Sequence, residues 1–192
     1  MIDLVFATHN KNKIAEIQLL VPSNINIISL ADIGCHTPIP ETADTLEGNA
    51  QIKADFVTNT YQLPCFSDDT GLLVASLNNE PGVYSARYAG ADNNAQKNMD
   101  KLLGNLKNIE DRTAQFKTVI ALNMHGEQHF FKGRVEGAIT EAPTGTSGFG
   151  YDPIFMPHGY TKTFGELSPQ IKSSISHRGI AFSKLVAFLG SL

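Results

Sequence analysis

The order of the apolar segments constrains the fold of this chain more than any other feature of its sequence. A mostly apolar segment at 2–7 predicts a buried strand, and apolar residues at helical spacing over 11–21 predict a helix directly after it. Another strand is expected at 25–30, followed by a helix whose buried face contains Leu46, Ala50, Ala54 and Val57. This alternation of strand and helix is typical of parallel sheets that are covered by helices.

The second half of the chain has a different pattern. Short strands are predicted at 65–67 and 71–77, with a turn at 80–82 after them. Alternating residues over 114–124 lead into His125-Gly126, which indicates a hairpin to a further strand. The two patterns together predict an α/β protein in which all 192 residues form one domain, with a mixed β-sheet flanked by helices.

The composition excludes several classes of partner. The formal net charge is -4, and no long run of Lys or Arg offers the basic surface that a nucleic-acid backbone requires. We therefore expect no nucleic acid as partner, and a few local cations must hold any anionic ligand. Cys35 and Cys65 are the only cysteines, which favours a reducing compartment, and the first residues resemble neither a signal peptide nor a membrane span. The sequence thus predicts a cytoplasmic protein that does not bind a membrane.

A polar turn separates the first predicted strand from the first predicted helix. It comprises Thr8, His9, Asn10, Lys11, Asn12 and Lys13. Hydroxyl, amide and ammonium groups beside the free amides of a helix N-terminus can bind phosphate. The same residues are equally consistent with a helix cap and two solvated lysines. The turn is not a Walker loop, because the glycines and the Lys-Ser/Thr pair of that motif are missing.

Two adjacent acids, Asp68 and Asp69, are expected at the end of a short strand, with Glu41 upstream. Consecutive side chains of an extended chain point to opposite faces, so we expect one acid to be catalytic and the other to support it. On residue types alone, a solvated turn is the more frequent arrangement of such acids. If a metal binds here, oxygen ligands favour magnesium, or manganese in its place, over zinc.

A glycine-rich loop at 144–150 leads into Tyr151 and Asp152. The ring of Phe149 or Tyr151 could stack on a purine with about 1 to 3 kcal/mol, the strength typical of base stacking. Packing of either ring in the core is equally consistent with the pattern. Asp152 could accept hydrogen bonds from base or ribose, or it could form a turn with Pro153.

A last helix is predicted from the helical spacing of four apolar residues, Phe182, Leu185, Val186 and Leu189. Three side chains that can carry positive charge, Lys172, His177 and Arg178, precede it. Ser176 could simply cap that helix. Basic residues, however, suit the N-terminus of a helix less well than acids do. This mismatch favours an anion-binding site near the start of the last helix.

Five motifs follow one another along the chain and together resemble a known family. They are ATHNKNK at 7–13, SDDTGL at 67–72, PGVYSARYAG at 81–90, GFGYDPIF at 148–155 and SHRG at 176–179. Their content and order are similar to those of the inosine triphosphate pyrophosphatase family, also called the XTP/dITP diphosphatases. The resemblance spans nearly the whole chain.

The resemblance implies an activity and an architecture. The activity is hydrolysis of ITP, dITP and XTP to the monophosphate and pyrophosphate, which cleanses the nucleotide pool. The architecture is an elongated mixed sheet with two lobes, the active-site cleft between them, and assembly into a homodimer.

Matched position by position, the resemblance also assigns roles to single residues. The residues that face the phosphates would be Thr8, Asn10, Lys13 and Lys53, with Thr70 beside the substrate. Glu41 and Asp69 correspond to metal-associated acids, and Asp69 would also be the general base. The residues that bind the nucleoside and its base would be Phe149, Gly150, Tyr151, Asp152, Lys172, His177 and Arg178. Two positions depart from the pattern, because His9 stands where Gly is frequent and residues 169–171 replace an acidic stretch.

These residues suggest a mechanism. Water activated by Asp69 attacks the α-phosphorus, while lysines and magnesium stabilise the developing charge. A donor to the 6-position, for which His177 and Arg178 are candidates, accepts a 6-keto purine and rejects adenine. Two alternatives stay open: a Maf-type nucleotide pyrophosphatase, against which the GFGYDP and SHRG motifs argue, and a nucleotide-binding regulator without hydrolytic activity.

Overall fold

The computed structural model describes residues 2–18 and 20–191, with the side chains of residues 11, 12, 15 and 16 left out. Within this part the chain forms seven β-strands and five α-helices. The strands are β1 (Ile2–Phe6), β2 (Ile25–Ser29), β3 (Cys65–Val74), β4 (Glu80–Gly82), β5 (Thr113–Met124), β6 (Glu127–Ile139) and β7 (Phe155–Pro157). The helices are α1 (Lys11–Gln18), α2 (Leu46–Tyr61), α3 (Ala95–Asn105), α4 (Pro169–Ile175) and α5 (His177–Leu189).

The strands form one mixed sheet with the order β2-β1-β3-β5-β6-β7, and β4 pairs with β3. β1 is parallel to both β2 and β3, whereas β4 and β7 are antiparallel to their partners β3 and β6. Strands joined through a helix can pair in parallel, whereas a short connection allows only antiparallel pairing. The predicted α/β fold with a mixed sheet is confirmed.

The chain divides into two compact units. The first unit comprises residues 1–69, 119–132 and 181–192, and the second unit comprises residues 70–118 and 133–180. β3, β5 and β6 each continue from one unit into the other along the chain. Each unit contains hydrophobic core clusters of its own.

Aromatic rings and the buried face of α2 build the core of the first unit. Phe6 and Phe66 stack with ring centroids 4.3 Å apart, and Phe182 of α5 meets both rings edge-on. The predicted face of α2 is buried throughout, since Leu46, Ala50, Ala54 and Val57 all lie in the core. Thr45 begins this helix by accepting a hydrogen bond from the Gly48 N–H at 3.0 Å. No described helix is long and apolar enough to cross a membrane.

The core of the second unit is also aromatic. Phe116 of β5 packs against Phe155 of β7, with ring centroids 4.7 Å apart, and Phe155 packs against Phe164 at 5.2 Å. Leu102 of α3 and the adjacent Leu106 are fully buried in the same cluster. The two leucines are four residues apart, so helical spacing places them on the same face.

Three local predictions were wrong. α1 ends at Gln18 instead of 21, with residue 19 outside the described part, although the Leu20 and Val21 N–H groups still donate to the Ile17 backbone oxygen. Residues 65–74 form one continuous strand instead of two, so Asp68 and Asp69 lie within the strand rather than at its end. Residues 80–82 form β4 and not only a turn. The predicted hairpin at His125 and Gly126 is confirmed, and both residues have positive φ angles of 55° and 81°.

Candidate active site

The turn between β1 and α1 caps the helix that follows it. The Asn10 side-chain oxygen accepts a hydrogen bond from the Lys13 N–H at 3.3 Å, and the Thr8 hydroxyl accepts one from the Asn10 N–H at 3.1 Å. His9 and Asn10 are exposed, while the side chains of Lys11 and Asn12 lie outside the described part. The capping role considered for this turn is therefore present, and phosphate binding stays a prediction for it.

Asp68 holds the ammonium group of Lys13. The Lys13 Nζ lies 2.7 and 2.8 Å from the two carboxylate oxygens of Asp68. The Asp68 side chain is only 2% exposed, and a buried carboxylate is costly unless a cation compensates it. Asp68 is thus paired with a lysine, and the division of the two adjacent acids into a catalytic and a supporting one stays a prediction.

Asp69 has the more unusual environment of the two acids. Its side chain is 12% exposed, and its Oδ2 is buried without a hydrogen-bond partner among the described residues. Burial is the main reason why the pKa of Asp69 rises from 3.8 to about 6; the Lys53 ammonium opposes the rise and the Glu41 carboxylate adds to it. A carboxyl group with a pKa near 6 can accept a proton close to neutral pH, as a general base must.

Lys53 lies among three acidic residues of the first unit, Glu41, Asp68 and Asp69. Its Nζ lies 2.6 Å from Glu41 Oε1 and 3.7 Å from Asp69 Oδ1, and it donates to the backbone oxygen of Asp68 at 2.7 Å. Burial by itself lowers the pKa of Lys53, but the carboxylates of Asp69, Asp68 and Glu41 outweigh burial and raise it. The side chain therefore carries a positive charge between Glu41 and Asp69.

The acid pair fits magnesium only in part. Among the described residues there is no group of three or more His, Cys, Asp or Glu side chains that could hold a metal ion. Glu41 and Asp69 nevertheless supply two carboxylates beside one ammonium, and Asp69 Oδ2 is buried without a hydrogen bond. Magnesium is commonly held by one or two carboxylates together with substrate phosphates. The residues present fit such an ion, provided that phosphate oxygens complete its ligands.

Asn49 belongs to this site, although the sequence pattern gave no sign of its role. It is fully buried on α2, its side-chain oxygen accepts the Ala43 N–H at 2.9 Å, and its amide lowers the pKa of Asp69. Asn49 thus ties the segment that contains Glu41 to the neighbourhood of Asp69. Helical spacing could have revealed it, because Asn49 precedes Lys53 by four residues on the same helix.

Thr70 also has a partner that the sequence did not indicate. Its hydroxyl lies 2.7 Å from the hydroxyl of Thr118, which is fully buried in β5. A bond between two hydroxyl groups fixes the position of the Thr70 oxygen and leaves either group able to donate. Alternation along β5 marks Thr118 as inward-facing, but nothing local identifies the residue opposite to it.

The loop of the second unit exposes one aromatic ring and buries the other. Phe149 is 62% exposed, whereas Tyr151 is buried and its hydroxyl donates to the backbone oxygen of Ser85 at 2.8 Å. Burial raises the pKa of Tyr151, so its hydroxyl stays protonated. Of the two candidate stacking rings, only Phe149 is exposed; Tyr151 fills the core, the alternative that the sequence left open.

Two cations approach the ring of Phe149. The Nζ of Lys172 in α4 lies 5.1 Å from the ring centroid, and the Cζ of Arg178 in α5 lies 5.2 Å from it. Both distances are typical of cation–π contacts. This part of the second unit therefore combines an exposed aromatic face with positive charge, which suits a heterocyclic base with hydrogen-bond acceptors.

Asp152 shapes the same loop. It is buried, forms an ion pair with Lys172 and accepts the Phe149 N–H at 2.7 Å. Gly148 has a φ of 82°, and a Cβ atom there would collide with the Asp152 carboxylate. Gly150, which the resemblance assigned to the nucleoside site, also has a positive φ of 61°. The glycines thus allow the tight loop that presents Phe149.

The start of α5 combines a cap with a stacked histidine. Ser176 accepts the Gly179 N–H at 3.1 Å, so the capping alternative for this serine is present. His177 is buried and stacks on Phe116 of β5, with ring centroids 4.6 Å apart and an interplanar angle of 15°. The His177 ring thus packs flat against Phe116 in the core of the second unit.

A comparison with protein families identifies the group to which these motifs belong. The model described as the Ham1 family matches residues 4–188 of the chain. The chain belongs to the Ham1 family. The resemblance predicted from the five sequence motifs is confirmed.

Two relatives that share much of their sequence with this chain carry the same name. The dITP/XTP pyrophosphatase of Flavobacterium johnsoniae is 60% identical over 97% of this chain and 97% of its own length. The protein of the same name from Bacillus subtilis is 43% identical over 98% of both chains.

Solved structures of the Ham1 family share the fold. The Staphylococcus aureus Ham1 protein superposes with a TM-score of 0.94 at 39% identity, covering 98% of each chain. The nucleoside-triphosphatase / dITP/XTP pyrophosphatase of Mycobacterium abscessus has a TM-score of 0.83 at 39% identity and covers 96% of this chain and 99% of its own.

Proposed function

We propose that this chain hydrolyses deaminated purine nucleoside triphosphates, namely ITP, dITP and XTP, to the nucleoside monophosphate and pyrophosphate. The observation that carries the proposal is the arrangement of Asp69, Lys53 and Glu41, in which a buried carboxyl group with a pKa of about 6 lies beside an ammonium and a second acid. The relatives named dITP/XTP pyrophosphatase support the choice of substrate.

The first unit supplies the groups that bind the triphosphate. Lys13, oriented by Asp68, and Lys53 provide positive charge, and Thr8 and Asn10 provide polar groups at the start of α1. The free amides at a helix N-terminus add further donors for phosphate oxygens. Lys11, Asn12 and His9 belong to the same proposed turn.

Magnesium, with manganese as a substitute, is part of the proposal. Glu41 and Asp69 would hold it, and it would neutralise the negative charge of the phosphates. The hard oxygen donors of these acids suit either ion better than they suit zinc.

Asp69 acts on the attacking water. Its carboxylate takes a proton as the water oxygen forms a bond to the α-phosphorus, and the bond from that phosphorus to the bridging oxygen of the pyrophosphate breaks. Lys13 and Lys53 stabilise the charge that develops on the phosphate oxygens. The hydroxyl of Thr70, fixed by Thr118, lies one residue further along β3 and contacts the substrate.

The second unit supplies the groups that bind the base. Phe149 stacks on the purine, and Lys172, His177 and Arg178 provide donors for the 6-keto oxygen. Adenine offers a donor instead of an acceptor at that position, so it leaves these groups unpaired. Asp152 keeps Lys172 in place and closes the loop on which Phe149, Gly150 and Tyr151 lie.

A substrate panel tests the proposal. ITP, XTP, GTP, ATP and dUTP are incubated with the protein, each with and without magnesium, and the products are identified. We expect monophosphate plus pyrophosphate from ITP and XTP, only with magnesium, and we expect Asp69→Asn to abolish turnover while the protein stays folded. Diphosphate plus orthophosphate as products, equal efficiency with ATP and ITP, or full activity of the Asp69→Asn variant would each contradict it.

The two alternative functions are not favoured. The family match and the names of the relatives argue against a Maf-type enzyme, and the presence of Asp69, Glu41 and Lys13 argues against a regulator that does not hydrolyse. Absence of pyrophosphate release from ITP with magnesium would favour the regulator.

Assembly and location complete the proposal. A homodimer in the cytoplasm, without nucleic-acid or membrane partners, agrees with the sequence resemblance, the net charge of -4 and the two buried free cysteines. Sedimentation equilibrium of the purified protein tests the dimer, and fractionation of cells that express it tests the location.

A further inference from the structure

The ammonium group of Lys53 lies beside the two acids that would hold a metal ion. It contacts Glu41 Oε1 at 2.6 Å and the backbone oxygen of Asp68 at 2.7 Å, and it lies 3.7 Å from Asp69 Oδ1. The Lys53 side chain is only 12% exposed, so water contributes little to its solvation. The carboxylates of Asp69, Asp68 and Glu41 therefore balance its charge, and two of these three acids would hold the metal.

A divalent cation and an ammonium group compete for such a pair. Two carboxylates carry two negative charges, and with Lys53 between them the net charge is about −1, which attracts a divalent ion far less than an uncompensated pair. Repulsion between the metal and the ammonium adds to this effect because screening is weak at a buried site. The described residues also lack a third acidic, histidine or cysteine ligand that would strengthen the metal site.

We propose that Lys53 is an internal counter-cation of Glu41 and Asp69 that keeps divalent metal out of the nucleotide-free protein. A triphosphate offers Lys53 a new partner of opposite charge. When the ammonium moves to the phosphates, the two carboxylates become available to the metal that accompanies the nucleotide. This inference rests on the proposed function, because it assigns an order to binding at the same site.

Lys13 has a different arrangement. Its ammonium contacts both oxygens of Asp68, a residue that is not among the proposed metal ligands. The described contacts of Lys13 are thus with an acid other than Glu41 and Asp69. Lys53 is the lysine whose described contacts reach both of these acids.

A titration with Mn²⁺ alone, without nucleotide, tests the inference. Free Mn²⁺ is measured by electron paramagnetic resonance at about pH 8, so that protons compete as little as possible with the metal for the carboxylates. We expect Lys53→Met to bind Mn²⁺ at least about tenfold more tightly than the wild type, because a neighbouring positive charge is removed. Lys53→Arg retains the charge and should bind Mn²⁺ as weakly as the wild type.

Two further variants separate the effect of Lys53 from that of net charge. Lys132→Met removes a charge from the same unit, at a surface pair with Glu47 in which the lysine side chain is 58% exposed, and it should leave Mn²⁺ affinity unchanged. Combining Lys53→Met with Glu41→Gln should remove the gain, because one of the two released carboxylates is then missing.

The outcomes are decisive in both directions. Equal or weaker Mn²⁺ binding by folded Lys53→Met, including no binding by either protein, would overturn the inference. If Lys53→Met does not fold, the wild type is tested by nuclear magnetic resonance. The ¹³Cε resonance of Lys53 is the one that is missing from the spectrum of Lys53→Arg. In the wild type it must shift when MgITP is added and stay unchanged with Mg²⁺ alone. A shift with Mg²⁺ alone would contradict the inference. Pyrophosphate release from ITP by the wild type tests the proposed function separately, so the two can fail independently.

Discussion

Replacing Asp69 with Asn should stabilise the metal-free protein, and the gain should depend on pH. The pKa of Asp69 is raised from 3.8 to about 6, mainly by burial, so the folded protein binds this proton more tightly than the unfolded chain does. Stability from this group is therefore greatest at low pH and is lost as the pH rises towards 6. Asn resembles the protonated acid in shape and charge and cannot lose a proton, so the variant avoids this loss.

The size of the effect follows from the pKa. Each unit of difference between the folded and unfolded pKa corresponds to about 1.4 kcal/mol, so above pH 6 Asp69→Asn should be more stable than the wild type by about 3 kcal/mol. At about pH 5 only about half of this gain in stability should be present, because the acid of the folded wild type is then largely protonated. The 12% exposure of the side chain leaves little screening by water. Urea unfolding in the presence of a chelator, at several pH values, measures the free energy of unfolding of both proteins.

A matched control removes the same charge from the surface. Asp44 is exposed, so Asp44→Asn recovers no cost of burial and should not show this dependence on pH. A stability difference between Asp69→Asn and the wild type that stays flat from about pH 5 to about pH 7.5 would refute the reasoning. So would a difference that increasingly favours the wild type at higher pH.

Three further predictions concern the loop and the turn. Phe149→Ala should leave stability nearly unchanged, because the ring is 62% exposed, but should raise KM for ITP about tenfold through loss of stacking, as steady-state kinetics will show. Gly148→Ala should lower kcat/KM for ITP at least about tenfold, because the added Cβ collides with the buried Asp152 carboxylate. Gly126 is the control, because it has a similar φ of 81° but open space around it. Gly126→Ala should lower the free energy of unfolding by only about 1 kcal/mol and leave activity unchanged. Lys13→Met should lower the free energy of unfolding by about 3 kcal/mol or more in urea titrations, because the buried Asp68 carboxylate loses its counter-charge. The double variant with Asp68→Asn should recover part of that loss.

Local periodicity was sufficient to predict much of the fold. The buried face of α2 follows from the spacing of its apolar residues, because a helix turns once every 3.6 residues regardless of what packs against it. The hairpin at His125 and Gly126 follows from the need for positive φ angles. Both features depend on neighbours in the sequence, so the sequence alone reveals them.

The same reasoning failed for β3. The polar residues from Ser67 to Thr70 resemble the end of a strand, yet they lie within one. Ser67 donates to the backbone oxygen of Ala50, and Asp68 binds Lys13, which is 55 residues away in the chain. Partners so distant cannot be deduced from a local pattern, and without them a buried polar run looks improbable.

The chain by itself determined which chemical groups are present and the family to which they belong: two neighbouring acids, several lysines and a glycine-rich aromatic loop, in an order that the family shares. Only the tertiary structure decided that Asp68 pairs with Lys13 while Asp69 keeps a buried, partly unsatisfied carboxyl group beside Lys53. It also decided that Phe149 is exposed and Tyr151 is not. The physical reason is that the charge state of a group and its exposure depend on distances to atoms that lie far away in the sequence, and folding alone sets those distances.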